Sequence, residues 1–212
     1  QLFSPKTNEK SSAFIDAVYP DSVRPRADRN LQNVDSTLYA YYRWCNNNIR
    51  DSVVLLKADP LFRLAGEKND IRMQAVALSF KADHYYFNNE PDSLKAWIPR
   101  VQAFARANEQ PTYYFFTWSR LILYYTKHGQ YTLAQYELER YMAQAEDDYK
   151  PAIAEAYKQL GHIYRTRGLK ETAADYYRKA IGFIEENNLN KFSLPILYSE
   201  LATVLIDTGR YE

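Results

Sequence analysis

Three of the chain's six glycines constrain its fold most: Gly129, Gly168 and Gly209 stand 39 and 41 residues apart, and each closes a run of apolar residues at helical spacing. Trp118, Leu121 and Tyr125 precede Gly129; Tyr157, Leu160 and Tyr164 precede Gly168; Tyr198, Leu201 and Leu205 precede Gly209. Steps of three and four put the three apolar residues of each copy on one helical stripe. The glycine four residues further on stands where a left-handed residue stops a helix. A second helix is expected after each glycine, carried by Tyr131 and Ala134, by Ala173, Tyr177 and Ala180, and by Tyr211. Gly161 and Ala202 follow the paired leucines and let two helices approach closely. Pro111, Pro151 and Pro195 fall where the first helices begin, a position that tolerates a missing amide hydrogen.

Composition excludes several alternatives. A chain of 212 residues can bury a core without disulfides or metals, and its single Cys45 rules out a disulfide scaffold. The 27 Lys and Arg against 26 Asp and Glu leave a net charge of +1, so no global field draws in nucleic acid or an anionic membrane. No apolar stretch approaches the roughly 18 residues of a membrane span. Hydrophobic residues at 46% mark a globular chain, and 20 tyrosines make it unusually aromatic. Tyr113, Tyr114, Tyr124, Tyr125, Tyr136, Tyr141, Tyr157, Tyr164, Tyr176 and Tyr177 recur at helical spacing, so half or more are expected in the core.

The residues Tyr157, Leu160, Gly161, Tyr164, Gly168, Ala173, Tyr177 and Ala180 resemble the tetratricopeptide repeat, W-x2-L-G-x2-Y followed by glycine, alanine and an aromatic. The copy at Trp118, Leu121, Tyr125, Gly129, Tyr131 and Ala134 is similar, with Ile122 in place of the small residue and Tyr141 in place of an alanine, which predicts wider packing there. Upstream, Asn89 and Asn48 occupy the glycine's place, since asparagine tolerates a left-handed turn. Ala82 and Tyr85 fit around Asn89, while Lys81 replaces a leucine and Pro91 an aromatic; around Asn48 only Trp44 and Val53 fit. The resemblance implies an all-α fold, an α-solenoid coiled as a right-handed superhelix of tetratricopeptide-like hairpins. Residues 31–212 would hold four hairpins and the first helix of a fifth, and residues 1–30 a lead-in or cap. A spacing near 40 exceeds the family's roughly 34 residues, so helices or connections should be longer.

Motifs for chemistry are missing: the sequence has no phosphate-binding loop, dinucleotide fingerprint, zinc-protease motif or nucleophile elbow. His84, His128 and His162 fall in different hairpins and read as helix-surface residues rather than metal ligands. Cys45 reads as a half-buried apolar residue, and the acidic run Glu146, Asp147, Asp148 as a solvated helix end. No catalytic residue, metal or cofactor is expected.

In the family this repeat resembles, the first helices line a concave groove. Carried onto this chain, that face holds Ser119, Leu123, Thr126 and Lys127, then Glu155, Lys158, His162 and Arg165, then Ser199 and Thr203, with Asp83 and Tyr86 from the weaker copy. The family's clamp for a terminal carboxylate would need cations or asparagine where Ser79, Asp83, Ser119 and Leu123 stand, so that mode is disfavoured; Lys158 and Arg165 remain as a basic pair for one acidic side chain. The resemblance implies a non-catalytic scaffold holding a protein or peptide segment, with neither nucleic acid nor membrane as partner and self-association left open. A start at Gln1 without a leader, and a second helix cut short at Glu212, further resemble the sensor region of bacterial membrane-bound signalling proteins, periplasmic rather than cytoplasmic, with a membrane helix and a kinase or DNA-binding output downstream. The rival expectations are a cytoplasmic peptide-responsive regulator and a glycan or small-molecule module using the tyrosines.

Overall fold

The structure, a computed structural model, describes residues 35–207, the side chains of residues 147, 148 and 192 excepted. Among these residues it is all-α, with nine α-helices and one short 3-10 turn. The helices are α1 Ser36–Asn47, α2 Val53–Glu67, α3 Ile71–Phe87, α4 Pro91–Ala107, α5 Pro111–Lys127, α6 Tyr131–Asp148, α7 Lys150–Thr166, α8 Lys170–Glu186 and α9 Leu194–Asp207. Contacts run mainly between neighbours in sequence: α1 with α2, α2 with α3 and α3 with α4 in one compact unit, α6 with α7, α7 with α8 and α8 with α9 in the other. The first unit runs through Tyr113 and the second begins at Tyr114. This nearest-neighbour pattern is that of a helical repeat. The lead-in at 1–30, Gly209 and Tyr211 lie outside the described residues.

One turn design recurs. Asn69, Asn89, Glu109, Gly129, Gly168 and Asn188 all have positive φ, between 49 and 77°. In each turn the next residue sends its N–H back five positions, as Asp70 to Ala65, Glu90 to Tyr85, Gln110 to Ala105, Gln130 to Tyr125, Leu169 to Tyr164 and Leu189 to Ile184, at 2.8–2.9 Å. That bond satisfies a carbonyl orphaned at the helix end. At Asp70, Glu90, Gln130 and Leu169 the same residue's carbonyl accepts the first bond of the following helix. Three-residue turns between helices of 17 residues give a period near 20, and so a hairpin near 40, longer than the roughly 34 residues of a tetratricopeptide repeat. Asn89 follows expectation; Asn48 does not. Its φ is −116°, its side-chain amide caps the Trp44 carbonyl at 2.8 Å, and a looser link runs on to α2.

Prolines sit where expected, Pro111 at the start of α5 and Pro151 and Pro195 in the first turns of α7 and α9. Pro60 and Pro99 instead lie inside α2 and α4, where each removes a helical hydrogen bond.

The first unit's core gathers Leu38, Tyr39, Tyr42, Cys45, Val54 and Leu61 with Met73, Val76 and Phe80. Cys45 is fully buried rather than half-buried, and burial pushes its thiol up to about 11. His84, expected on a helix surface, is 3% exposed and bonds through Nδ1 with the Ile49 carbonyl at 2.8 Å, pinning the α1–α2 link to α3. In the second unit α7 and α8 meet where Gly161 faces Tyr177: a Cβ on Gly161 would come within 2.5 Å of that ring, so only glycine fits. The preceding copy places Ile122 and Leu138 at these two positions, both buried, sharing the volume the other way round. Tyr141, in place of an alanine, forms an aromatic cluster with Phe115 and Trp118 at 5.0 and 5.6 Å. Of the ten tyrosines singled out, Tyr125, Tyr141 and Tyr177 are buried, Tyr136 is exposed and the others are half-buried.

Candidate functional site

On α7, Tyr157 and Tyr164 pack half-buried against the core shared with α8 and α9, and the polar residues of the helix lie beside them. Glu155, Lys158, His162 and Arg165 are all half-buried there. Glu155 binds both neighbours on its helix: Lys158 Nζ lies 2.5 Å from its Oε2, and Gln159 Nε2 donates to its Oε1 at 2.9 Å. His162 Nδ1 lies 3.2 Å from the hydroxyl of Tyr177 on α8. Arg165 pairs with Glu200 on α9. Two contacts thus tie this face of α7 to α8 and to α9, beside a local group on α7 itself. The basic pair Lys158 and Arg165, expected to hold an acidic side chain, is already matched by two carboxylates, which leaves the face near electroneutrality.

Burial dominates its titration. It lowers the His162 imidazole from its usual range, helped by Arg165 and Lys158 and opposed by Glu200 and Glu155. It also pushes the Tyr177 phenol up to about 12. Gln159 is 1% exposed, and among the described residues nothing donates to its Oε1. A buried acceptor without a donor costs about 1–3 kcal/mol.

The remaining expected residues stand elsewhere. Ser119 is buried, its hydroxyl donating to the Phe116 carbonyl at 2.7 Å, and Thr126 likewise turns to Ile122; neither lines an open face. Leu123 is half-buried and Lys127 exposed at the end of α5. Ser199 and Thr203 are exposed on α9, where Thr203 donates to the Ser199 carbonyl at 2.8 Å. Asp83 and Tyr86, half-buried on α3, belong to the first unit. Ser79, a clamp position, is buried and donates to the Ala75 carbonyl.

Gln159, Glu200 and the Tyr177 hydroxyl join this face without having been expected there. Glu200 had a signal: it precedes Gly209 by nine residues, as Gln159 precedes Gly168, so the two are the same repeat position. The exchange of an amide for a carboxylate there supplies Arg165 with its partner.

Compared with known proteins, the chain matches no family model and no curated protein. Among the described residues, no group of three or more His, Cys, Asp or Glu is placed to hold a metal ion. No helix there is long and apolar enough to cross a membrane.

Proposed function

We propose that the chain is a non-catalytic, tetratricopeptide-like scaffold that holds a protein or peptide segment on the α7 face of its second unit. One observation carries the reading: Glu155, Lys158, Gln159, His162 and Arg165 form a continuous half-buried to buried polar strip beside a stripe devoted to packing. Burial of polar groups is tolerated only where they are bonded, and here, among the described residues, each side chain has a partner within the chain except at the Gln159 Oε1. A bound segment would exchange its own polar groups for the internal partners Glu155 and Glu200 of Lys158 and Arg165.

Screening the full chain against an array of short peptides tests this. Binders that weaken at least tenfold with Lys158→Glu or Arg165→Glu, and hold their affinity with Lys191→Glu, are the expected result. Binders indifferent to the α7 substitutions, or hydrolase or transferase turnover by the pure protein, overturn it. We further place the array as the sensing region of a larger bacterial signalling protein. Sequencing the gene on both sides tests that: a leader upstream with a membrane span and output domain downstream supports it, and a reading frame limited to the array refutes it.

A further inference from the structure

Lys158, His162 and Arg165 follow one another on α7 at spacings of four and three residues, which lays them on one stripe with neighbouring Cβ atoms about 5–6 Å apart. A carboxylate sits on the cation at each end, Glu155 on Lys158 and Glu200 of α9 on Arg165. The charged groups facing His162 are Glu155, Lys158 and Arg165 from its own helix and Glu200 from α9; from α8 it meets the Tyr177 hydroxyl. Two fixed cations thus flank a titratable ring, with one internal anion on each cation.

We propose that Lys158, His162 and Arg165 form a proton-linked oxyanion site, in which Glu155 and Glu200 hold the two permanent cations when no ligand is bound. The site rests on the peptide-binding reading above and names the group recognised: a carboxylate or phosphate borne by the bound segment. With His162 neutral, an incoming anion must displace internal carboxylates without gaining charge in return. A proton on His162 adds a third positive group, and the Tyr177 hydroxyl, neutral far above physiological pH, accepts the hydrogen bond of the imidazolium. Linkage then requires that the anion raise the affinity of His162 for its proton, and that acid raise the affinity for the anion.

Sulfate is the probe, because its charge is constant across this pH range. The chain's three histidines give three imidazole NMR signals in the intact protein. In sulfate against chloride at equal ionic strength, the His162 midpoint should rise by about half a pH unit or more. Sulfate affinity should be several-fold higher at pH 5.5 than at 7.5, and flat with pH in His162→Gln. Glu200→Gln, which frees Arg165, should strengthen sulfate binding at pH 7.5, and Arg165→Gln should weaken it, each checked for unchanged helicity. Competition by a phosphoserine peptide or by an aspartate peptide identifies the source of the oxyanion. An unmoved His162 midpoint, or a pH dependence retained in His162→Gln, overturns the proposal. Peptide binders on α7 without a sulfate response would sink the oxyanion site alone; a sulfate response without peptide binders would sink the scaffold reading alone.

Discussion

At Glu109 a glutamate holds a φ of 54°, a conformation its Cβ disfavours by about 1–2 kcal/mol. The same turn is served by glycine at 129 and 168 and by asparagine at 69, 89 and 188. Glu109→Gly should therefore raise stability, by about 0.5–1 kcal/mol once the greater freedom of glycine in the unfolded chain is subtracted. Urea denaturation reads this directly, and a loss of stability would show that the Glu109 side chain contributes more than its strain. Gly168→Ala makes the opposite test: its Cβ would meet nothing within 4 Å, so a cost of about 1 kcal/mol would be purely backbone strain. His162 sets a pH dependence. Its folded pKa lies below the unfolded value, so the unfolded state binds the proton more tightly. In chloride buffer its share of stability is complete above about pH 6.5, the unfolded value, and declines as pH falls toward the lower folded pKa. His162→Gln should flatten that slope; the same slope in the variant would assign it to other groups.

Elements show where the repeat motif is enforced and where it is relaxed. Gly161→Ala would push a methyl into the Tyr177 ring and should cost about 1–3 kcal/mol, most of it recovered when Tyr177→Leu is added, since the neighbouring copy fills this place with Ile122 and Leu138. Additive costs in this double-mutant cycle would mean the two residues do not share the space. Pro99 lies exposed inside α4, so Pro99→Ala restores a helical hydrogen bond and should stabilise by up to about 3 kcal/mol, read from the denaturation midpoint.

Over the whole molecule, the stability of a repeat is a sum of local units and their nearest-neighbour contacts. The damage of Gly161→Ala should then appear in amide exchange as faster opening of α7, α8 and their neighbours α6 and α9, with α2 and α3 keeping their protection. Equal loss throughout would mean the described chain opens as one cooperative block. The all-α class and the helix–turn alternation from α5 to α9 were legible in the sequence because glycine stops and a stripe at steps of three and four are local signals, independent of what packs on them. The turns at Asn69, Glu109 and Asn188 were not, since glutamate carries no mark of a left-handed backbone and asparagine serves equally as a right-handed cap, as at Asn48 and Asn187. Part of the candidate site was legible as well. Glu155, Lys158, His162 and Arg165 follow from their register on α7, whereas Ser119 and Thr126 share that register on α5 and are buried. What the sequence by itself determined is the repeat-like alternation of helix and turn from α5 onward and its period, both consequences of helix geometry acting within some twenty residues. Only the tertiary structure decided which polar residues meet: Arg165 with Glu200 across 35 positions, and His162 with Tyr177 across 15. Such pairings depend on how helices cross, and that is settled by the volumes of residues such as Gly161 and Tyr177 that interlock between them.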